Sequence, residues 1–364
     1  MKRRNFTKSI FATAALLGLS PLLSYSRAKN SLKILVLGGT NFLGPAVVKA
    51  ALRSGHEVTL FNRGITNPDL FSDLPLIKGD REQGPAAYAP LKEQHWDAVL
   101  DVWPQHSKLV DEATEALQNH TKHYLFVSSV AVYSDFNEPN RAETYSLVPL
   151  PEDKSKWQYA EEKAAAEVIV TERFPNSHTI LRPGPIKGWR DPAYDLLYWL
   201  IKLERGESIL APGDGKDALQ FIDVNDVGNF AITAIENTAL GAYNCVGPTS
   251  KTLSWKSFLE SAKQHLDSNS ELVWSSQEQL YEQEVYAWSD LPLWAPTTDD
   301  YFMEISNAKS LAAGFTYTSL SKTIDDCLAW QKKQANQEIQ FGEGEDPVGL
   351  ERSRELSVIE KIKG

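Results

Sequence analysis

The feature that most constrains the fold of this chain is a glycine-rich turn between a short apolar segment and a helical pattern. Lys33–Leu37 has strand character, and helical spacing of apolar side chains begins at Phe42 and ends before Gly55. The turn itself reads Gly38-Gly39-Thr40-Asn41-Phe42-Leu43-Gly44. Such a turn directs backbone N–H groups and the positive end of a helix toward one point, which suits a pyrophosphate. We therefore predict that these residues bind a dinucleotide.

The same alternation of strand and helix continues along the first half of the chain. Strand-like runs recur at Val58–Phe61, Ala98–Asp101, His123–Val127 and Thr179–Leu181, with helical patterns at Ser107–Leu117 and Ser155–Phe174. Parallel strands need crossover connections, so this alternation predicts an α/β fold with a doubly wound parallel sheet. After Arg182, closely spaced prolines and glycines interrupt the pattern, and we expect a smaller α+β lobe there.

The N-terminal segment predicts export. A positive head carries the cationic side chains Lys2, Arg3, Arg4 and Lys8. Residues 10–23 are apolar, and small or polar residues follow at 24–28, a layout typical of a signal peptide and short for a membrane span. The arginine pair, followed two positions later by Phe6, is similar to a twin-arginine signal. We expect a periplasmic or otherwise exported protein that uses the twin-arginine export machinery and has no membrane segment when mature.

Composition limits the possible partners and ligands. Lys and Arg total 37 against 48 Asp and Glu, a net charge of −11, and no cationic block suits a phosphate backbone. Nucleic-acid binding is therefore not expected. Cys245 and Cys327 are too few for a disulfide framework, so we expect inert core residues, with pairing after export as the alternative. No metal site is predicted.

The end of the second predicted strand bears on the choice between NAD and NADP. An acidic residue there normally binds the adenosine ribose, but this chain has Asn62 followed by Arg63. Arg63 could pair with a 2′-phosphate, which favours NADP, stack on adenine, or remain a solvated surface residue. Asp80 and Arg81 follow a predicted third strand and could flank the adenine. The choice between the two cofactors stays open.

A tyrosine and a lysine four residues apart are the main candidates for chemistry. Tyr159 and Lys163 lie on one face of a predicted helix, where the ammonium would stabilise a phenolate and allow proton exchange near neutral pH. The same spacing occurs at Tyr88–Lys92 and Tyr198–Lys202. Only Tyr159 opens a long helix after a strand that ends in a serine-containing segment, which reads Ser128-Ser129-Val130-Ala131-Val132-Tyr133.

Taken in order, these motifs resemble the extended short-chain dehydrogenase/reductase superfamily, and within it the NAD(P)-dependent sugar epimerase/dehydratase group. The resemblance covers about residues 32–330 and rests on the segments 38–44, 126–133, 159–163, 181–184 and 221–227. It implies a Rossmann-type sheet and assigns the acid/base role to Tyr159. It also implies that Lys163 holds the nicotinamide ribose and that Ser129 binds the reacting hydroxyl or carbonyl. Asn41 and Asn62 depart from the usual pattern.

The predicted boundaries divide the chain into four parts. Residues 1–28 are the signal peptide, and residues 31–182 with about 221–237 are the NAD(P)-binding domain. Residues 183–220 and 238–315 are the substrate lobe, and residues 316–364 are a C-terminal helix and tail. Within the last part we expect a final helix at Ser321–Lys333, followed by a charged tail along the surface.

Substrate contacts are expected from loops at the carboxyl ends of the strands. Side chains that suit a carbohydrate occur in these loops at Trp103, His106, Trp189, Asp191 and Tyr194. Each is equally consistent with packing, and His106 with an ordinary loop histidine instead of a second acid. The resemblance also implies a supporting role for Asp223 and is compatible with a homodimer.

Export would separate the protein from the pool that regenerates nicotinamide cofactors. We therefore expect a redox-neutral reaction with tightly bound NAD(P), in which a sugar or glycoside passes through a transient keto intermediate. Return of the hydride would give epimerisation, and elimination or hydrolysis would be the other outcomes. An NADPH-dependent carbonyl or keto-sugar reductase is the alternative. A non-catalytic sugar- or nucleotide-binding protein on the same scaffold is a second alternative.

Overall fold

A seven-stranded parallel sheet lies at the centre of the fold. The computed structural model describes residues 31–102, 105–249, 251–298, 300–334, 339–344 and 347–364. The predicted signal peptide and Trp103 lie outside the described residues. Within the described part, none of the helices combines the length and the apolar character that a bilayer-spanning helix requires.

Eleven strands lie within the described residues: β1 (Lys33–Leu37), β2 (Glu57–Asn62), β3 (Leu76–Lys78), β4 (Ala98–Asp101), β5 (Tyr124–Val127), β6 (His178–Pro183), β7 (Ile186–Lys187), β8 (Ile209–Pro212), β9 (Ile222–Asp223), β10 (Gly241–Cys245) and β11 (Leu272–Ser275). The central sheet has the order β3-β2-β1-β4-β5-β6-β10, with every neighbouring pair parallel. The order reverses between β1 and β4, where doubly wound sheets bind their ligands. This topology confirms the predicted fold class. Two smaller parallel pairs, β7–β9 and β8–β11, lie outside the central sheet.

Ten α-helices lie within the same residues: α1 (Leu43–Arg53), α2 (Ser107–Leu117), α3 (Tyr159–Arg173), α4 (Asp195–Glu204), α5 (Val224–Glu236), α6 (Trp255–His265), α7 (Gln277–Glu282), α8 (Ala308–Ala312), α9 (Leu320–Lys333) and α10 (Arg352–Lys363). Side chains of β1 point alternately to two helical layers, as the pleat of a strand requires. Ile34 and Val36 pack with α1 and α5, whereas Leu35 and Leu37 pack with α2 and α3. Because both faces are covered, the central strands are mostly apolar.

A separate apolar core lies among α4, α6, α9, α10 and the β8–β11 pair. It contains the fully buried side chains of Trp199, Trp255 and Trp294. Cys327 belongs to this core, and Cys245 belongs to the core beneath the central sheet. Both are buried free thiols, as expected for core residues.

The predicted start of α3 was four residues too early. Lys154–Lys156 forms a short 3₁₀ turn, and the α-helix begins at Tyr159. The Gln158 backbone N–H donates to the Glu161 carboxylate at 2.8 Å, which caps the helix at this point. As a consequence, Tyr159 occupies the first helical position.

The expectation that the helix ending at Lys333 is the last one was wrong. Helix α10 follows it, and its Val358 and Ile359 side chains are buried in the core shared with α4. Half of the residues of α10 are charged, so its apolar periodicity is weak. Its main anchor is Glu355, which is fully buried and pairs with Lys202 of α4.

Candidate functional site

Three glycines shape the turn between β1 and α1. Gly38 and Gly39 have φ angles of 108° and 103°, a region that side chains with a Cβ rarely adopt. A Cβ atom on Gly44 would lie 2.5 Å from the Gly39 Cα, so the start of the helix touches the turn directly. The left-handed backbone falls on these two glycines and not on Asn41. The turn therefore keeps its shape although Asn41 departs from the usual pattern of the superfamily that the sequence resembles.

A cavity of about 340 Å³ opens beside this turn at the carboxyl ends of β1, β2 and β4. It is lined by all the residues predicted to bind the phosphates and the adenosine part of the cofactor, namely Gly38, Gly39, Thr40, Asn41, Phe42, Leu43, Gly44, Asn62, Arg63, Asp80 and Arg81. Val102 and Leu109, which the sequence did not single out, close its apolar side. The structure thus brings these predicted residues together, and their individual roles stay predictions.

Asn62 connects the ends of the first two strands. Its Nδ2 donates to the Gly38 carbonyl at 2.8 Å, and its Oδ1 accepts from the Gly64 N–H at 2.8 Å. Both ends of the amide are therefore engaged with backbone. Arg63, the next residue, is exposed and lines the same cavity.

Arg81 lines the cavity, but its charge is paired within the protein. The guanidinium makes two hydrogen bonds to the buried Asp101 carboxylate, at 2.7 and 3.0 Å, and a third to the Leu109 carbonyl at 2.9 Å. Burial is the largest single influence and disfavours its charge, but the attraction and hydrogen bonds of Asp101, with smaller contributions from Tyr88 and Tyr124, together outweigh it and raise the pKa of Arg81. The sequence did not indicate this pair, because Asp101 was seen only as the end of a strand.

The Asp80 carboxylate accepts from the Glu82 N–H at 3.1 Å and caps a short turn. Like Arg81, it shapes the wall of the cavity through contacts within the protein. The predicted contact of either residue with adenine remains untested.

Tyr159, Lys163 and Ser129 meet at the carboxyl end of β5. The Lys163 ammonium is buried, donates to the Val127 carbonyl at 2.9 Å and lies 5.8 Å from the centre of the Tyr159 ring. Burial lowers the pKa of Lys163 to about 8. Ser129 caps a short 3₁₀ turn by accepting from the Ala131 N–H at 3.1 Å, and it also hydrogen-bonds the Tyr159 phenol.

The pKa of Tyr159 shifts in the direction opposite to the one expected from Lys163. Loss of hydration raises the pKa of the phenol, and the hydrogen bond with Ser129 offsets only part of this shift. The Lys163 ammonium donates to the Val127 carbonyl and not to the phenol, and burial is the largest influence on the pKa of Tyr159.

The glycine-rich turn and Tyr159 lie on the same edge of the sheet. The turn follows β1 and Ser129 follows β5, with β4 between these two strands. Neighbouring strands are about 4.8 Å apart, so the two strand ends are separated by about 10 Å. At this edge the Ser128 hydroxyl is buried and has no hydrogen-bond partner within the described residues. One extended ligand can therefore contact both the glycine-rich turn and Tyr159.

His106 lies beside α3. Its Nδ1 is 3.5 Å from a Glu162 oxygen, and the imidazole side chain is 63% exposed. The other Glu162 oxygen accepts from the Ser107 N–H at 2.6 Å, so this carboxylate ties the loop after β4 to α3. Partial burial opposes the shift, but the hydrogen bonds from Ser107 and His106 lower the pKa of Glu162. Glu162 was not among the predicted site residues, although it lies between Tyr159 and Lys163.

The other predicted substrate residues that the structure describes make contacts with the protein itself. Trp189 lies against the Lys49 ammonium, which is 3.4 Å from the centre of its ring. Asp191 is buried and lies 3.3 Å from the Lys187 ammonium, and Tyr194 stacks on a tryptophan of α9. None of these three lines the cavity beside the glycine-rich turn. A substrate role for them stays a prediction that their contacts do not favour.

A buried polar network joins β6, α3 and β10. The sequence did not predict it. Arg182 makes two hydrogen bonds to Glu167 of α3, at 3.0 and 2.6 Å, and donates to the Tyr133 hydroxyl at 3.2 Å. The Tyr133 hydroxyl donates in turn to Asn244 of β10 at 2.6 Å. Asp223, predicted to support structure, caps α5 and accepts from the Thr323 hydroxyl at 2.6 Å.

A doubly wound sheet with this turn at its switch point and a Ser–Tyr–Lys group at the carboxyl end of β5 defines the class of dinucleotide-dependent α/β enzymes. Residues 34–245 match the NAD dependent epimerase/dehydratase family, and the chain belongs to this family. The family is described as one of NAD dependent epimerases and dehydratases. This agrees with the superfamily that the sequence motifs resemble.

Two curated relatives come from Arabidopsis thaliana. The chloroplast stem-loop binding protein of 41 kDa b is 25% identical over 230 residues, which cover 58% of this chain and 57% of that protein. An uncharacterized chloroplast protein is 27% identical over 238 residues, covering 57% of this chain and 77% of the relative. The chain thus matches little more than half the length of the first relative.

Solved structures of sugar-nucleotide enzymes share the fold. The UDP-N-acetylglucosamine 4-epimerase from Bacillus cereus has a TM-score of 0.60 at 18% identity, covering 83% of this chain and 100% of that one. The UDP-glucuronic acid 4-epimerase from Bacillus cereus in complex with NAD has a TM-score of 0.59 at 16% identity, covering 84% and 98%. The dTDP-glucose 4,6-dehydratase from Bacillus anthracis in complex with NAD gives the same values. At these identities the likeness concerns the fold.

Proposed function

We propose that the protein uses tightly bound NAD(P) to convert a sugar, as a glycoside or a sugar nucleotide, through a transient keto intermediate. The observation that carries this proposal is the position of Ser129, Tyr159 and Lys163, about two strand spacings from the glycine-rich turn. This spacing suits a dinucleotide whose diphosphate lies at the turn and whose nicotinamide lies near Tyr159. The sugar would then lie against Ser129.

The residues present fit such a cofactor. A Cβ atom on Gly39 would lie 2.9 Å from Leu60, and one on Gly44 would strike the turn, so only glycines leave the backbone N–H groups accessible. The unpartnered Ser128 hydroxyl offers a further hydrogen bond to a ligand at the carboxyl end of β5. When bound, the nicotinamide supplies a site that accepts a hydride and later returns it.

The side chains of this chain would then bind the sugar and move a proton. Ser129 would hydrogen-bond the reacting hydroxyl and hold it near Tyr159. The Tyr159 phenolate would accept the hydroxyl proton as the keto group forms, and the resulting phenol would return the proton when the hydride comes back. Lys163, held by the Val127 carbonyl at 2.9 Å, would keep a positive charge close to the nicotinamide ribose.

An NADPH-dependent carbonyl reductase is the second candidate. Asn62 stands where an acid would repel a 2′-phosphate, and the exposed Arg63 lines the cavity beside it. The stem-loop binding implied by the name of one relative is not proposed, because the net charge of −11 opposes contact with a phosphate backbone.

The first experiment is mass spectrometry of the dinucleotide released on denaturing protein purified without added cofactor. About one equivalent of NAD or NADP supports the closed redox cycle. A protein that is empty and binds NADPH only weakly supports the reductase instead. Failure of both dinucleotides to bind would refute the catalytic proposal.

Substitution of Tyr159 tests the acid/base assignment once a substrate is found among sugars and glycosides. Tyr159→Phe is expected to lower kcat by about 10²–10⁴-fold, the usual contribution of a positioned acid or base. Tyr286→Phe is the matched control, because the two tyrosines are 52% and 51% exposed. Retention of most turnover by Tyr159→Phe would contradict the assignment.

We further propose that the protein is exported in the folded state with its cofactor, on the basis of the charged and apolar segments at residues 1–28. Cell fractionation of the full chain and of a variant with Arg3→Lys and Arg4→Lys tests this. Loss of the exported fraction in the variant alone supports the twin-arginine route. Cytoplasmic retention of both proteins would overturn it.

A further inference from the structure

The loop between β7 and α4 crosses over to the glycine-rich turn. Its Arg190 donates a hydrogen bond from Nε to the Asn41 carbonyl at 3.1 Å. Asn41 lies inside the turn, directly before Phe42, the residue that precedes α1. A guanidinium from a distant part of the chain is thus fixed beside the positive end of α1.

The backbone of Arg190 is held in an unfavourable conformation. Its φ angle is 67°, in the left-handed region that residues with a Cβ rarely adopt. Glycine would avoid this strain. Arg190 therefore occupies a position where the backbone conformation alone would favour glycine.

The charge of Arg190 has no counterion among the residues that the structure describes. Within the described residues, no carboxylate lies at ion-pair distance from it, and its terminal nitrogens make no hydrogen bond. Its neighbour across the Trp189 ring is a second cation, Lys49 of α1. The Arg190 guanidinium is 5.5 Å and the Lys49 ammonium 3.4 Å from the centre of that ring. Partial burial lowers the pKa of both groups. For Lys49 the repulsion of Arg190 adds to this shift, and the attraction of Asp326 opposes it.

We propose that Arg190 binds the diphosphate of the dinucleotide, with Nε anchored on Asn41 and the two terminal nitrogens available to phosphate oxygens. A guanidinium suits this task because its planar fork matches the oxygens of a phosphate. The N–H groups at the start of α1 supply the remaining contacts. Arg190 is therefore a positioning residue, and it contributes to slow release of the cofactor. This inference rests on the proposed NAD(P) site.

Exchange of bound dinucleotide tests the role of Arg190 without an activity assay. Full-length protein is incubated with isotopically labelled NAD or NADP, whichever it contains, and the exchange is followed by mass spectrometry. Arg190→Gly is expected to speed exchange about ten- to a hundredfold, the usual effect of losing charge-assisted hydrogen bonds. The same variant is expected to have a higher Tm when empty, because glycine relieves the left-handed strain. Faster exchange together with a higher Tm cannot come from misfolding.

Two further variants separate charge and backbone effects. Arg190→Lys keeps the charge but loses the fork, so its exchange rate is expected between those of wild type and Arg190→Gly. Asp267→Gly relieves similar strain, at a φ of 49° in another loop, and should leave exchange unchanged. Competition with ADP, AMP and adenosine is the second readout. Arg190→Gly should lose the preference for ADP and bind adenosine as wild type does.

Three results would overturn the inference. Exchange by Arg190→Gly within twofold of wild type, with the preference for ADP intact, would refute the role of Arg190 and leave the proposed function standing. A wild-type protein that neither contains nor binds a dinucleotide would refute both proposals. Equal weakening of adenosine and ADP would show that Arg190 supports the turn and does not contact the diphosphate.

Discussion

Replacement of Glu355 by alanine is expected to lower the free energy of unfolding by about 3–5 kcal/mol, the usual cost of breaking a buried ion pair. Glu355 is fully buried in α10. Its carboxylate pairs with Lys202, accepts from the Leu210 N–H at 3.0 Å and accepts from Arg352 at 2.6 Å. These contacts join the C-terminal helix to α4 and β8.

The magnitude follows from what the variant leaves behind. Lys202 is only 3% exposed, so without Glu355 its charge has no solvent to replace the lost partner. The Leu210 N–H also loses its acceptor, which costs about 1–3 kcal/mol within the same total. Burial already lowers the pKa of Lys202, and Glu355 opposes that shift. Removal of the carboxylate should therefore lower the pKa of Lys202 further, so that Lys202 loses its charge at a lower pH than in wild type.

Urea unfolding followed by tryptophan fluorescence measures this loss as a shift in the midpoint at an unchanged slope. The double variant Lys202→Met with Glu355→Leu should recover most of the stability, because it leaves no uncompensated charge. Lys332→Ala is the control, since its pair with Glu204 is largely exposed, at 61% and 38%, and should cost under about 1 kcal/mol. A Glu355→Ala variant no less stable than this control would refute the reasoning.

Three further predictions concern the cavity and two buried bases. Gly44→Ala places a Cβ atom 2.5 Å from the Gly39 Cα, so calorimetry should show at least about tenfold weaker dinucleotide binding while circular dichroism keeps the native spectrum. Lys163 has a pKa of about 8 in the folded state against 10.5 in the unfolded state, so the folded state binds fewer protons between these values. Wild type should therefore gain stability relative to Lys163→Met as the pH rises from 8 to 10.5, and parallel profiles would contradict the assignment. Burial and the neighbouring His178 lower the pKa of His123 to about 4, so wild type should lose about 3 kcal/mol as the pH falls from 6.5 to 4. Urea midpoints of His123→Gln should not show this loss.

The local features of the fold were predictable because their chemistry is encoded in neighbouring residues. The turn at 38–44 needs glycines at the points where the backbone is left-handed or in contact, and these glycines are visible in the sequence. Ala98–Asp101 and Ser107–Leu117 were predicted with their observed bounds, since apolar periodicity alone determines them.

Long-range pairs could not be predicted from the sequence. Lys202 and Glu355 are 153 positions apart, and a charged residue in a charged helix gives no sign that it is buried. Arg190 reaches Asn41 across 149 positions for the same reason. The pKa direction of Tyr159 was also missed, because the predicted partner Lys163 is held elsewhere by a backbone carbonyl.

The two hydrogen bonds of Asn62 have a consequence for how cofactor preference can change in evolution or by design. An aspartate at this position would accept from Gly64 as before, but it could not donate to the Gly38 carbonyl and would repel it. The single substitution that should favour the ribose of NAD would thus also distort the turn that holds the phosphates. A change of cofactor at this site therefore needs a compensating second substitution, and the single variant is a poor intermediate between the two preferences.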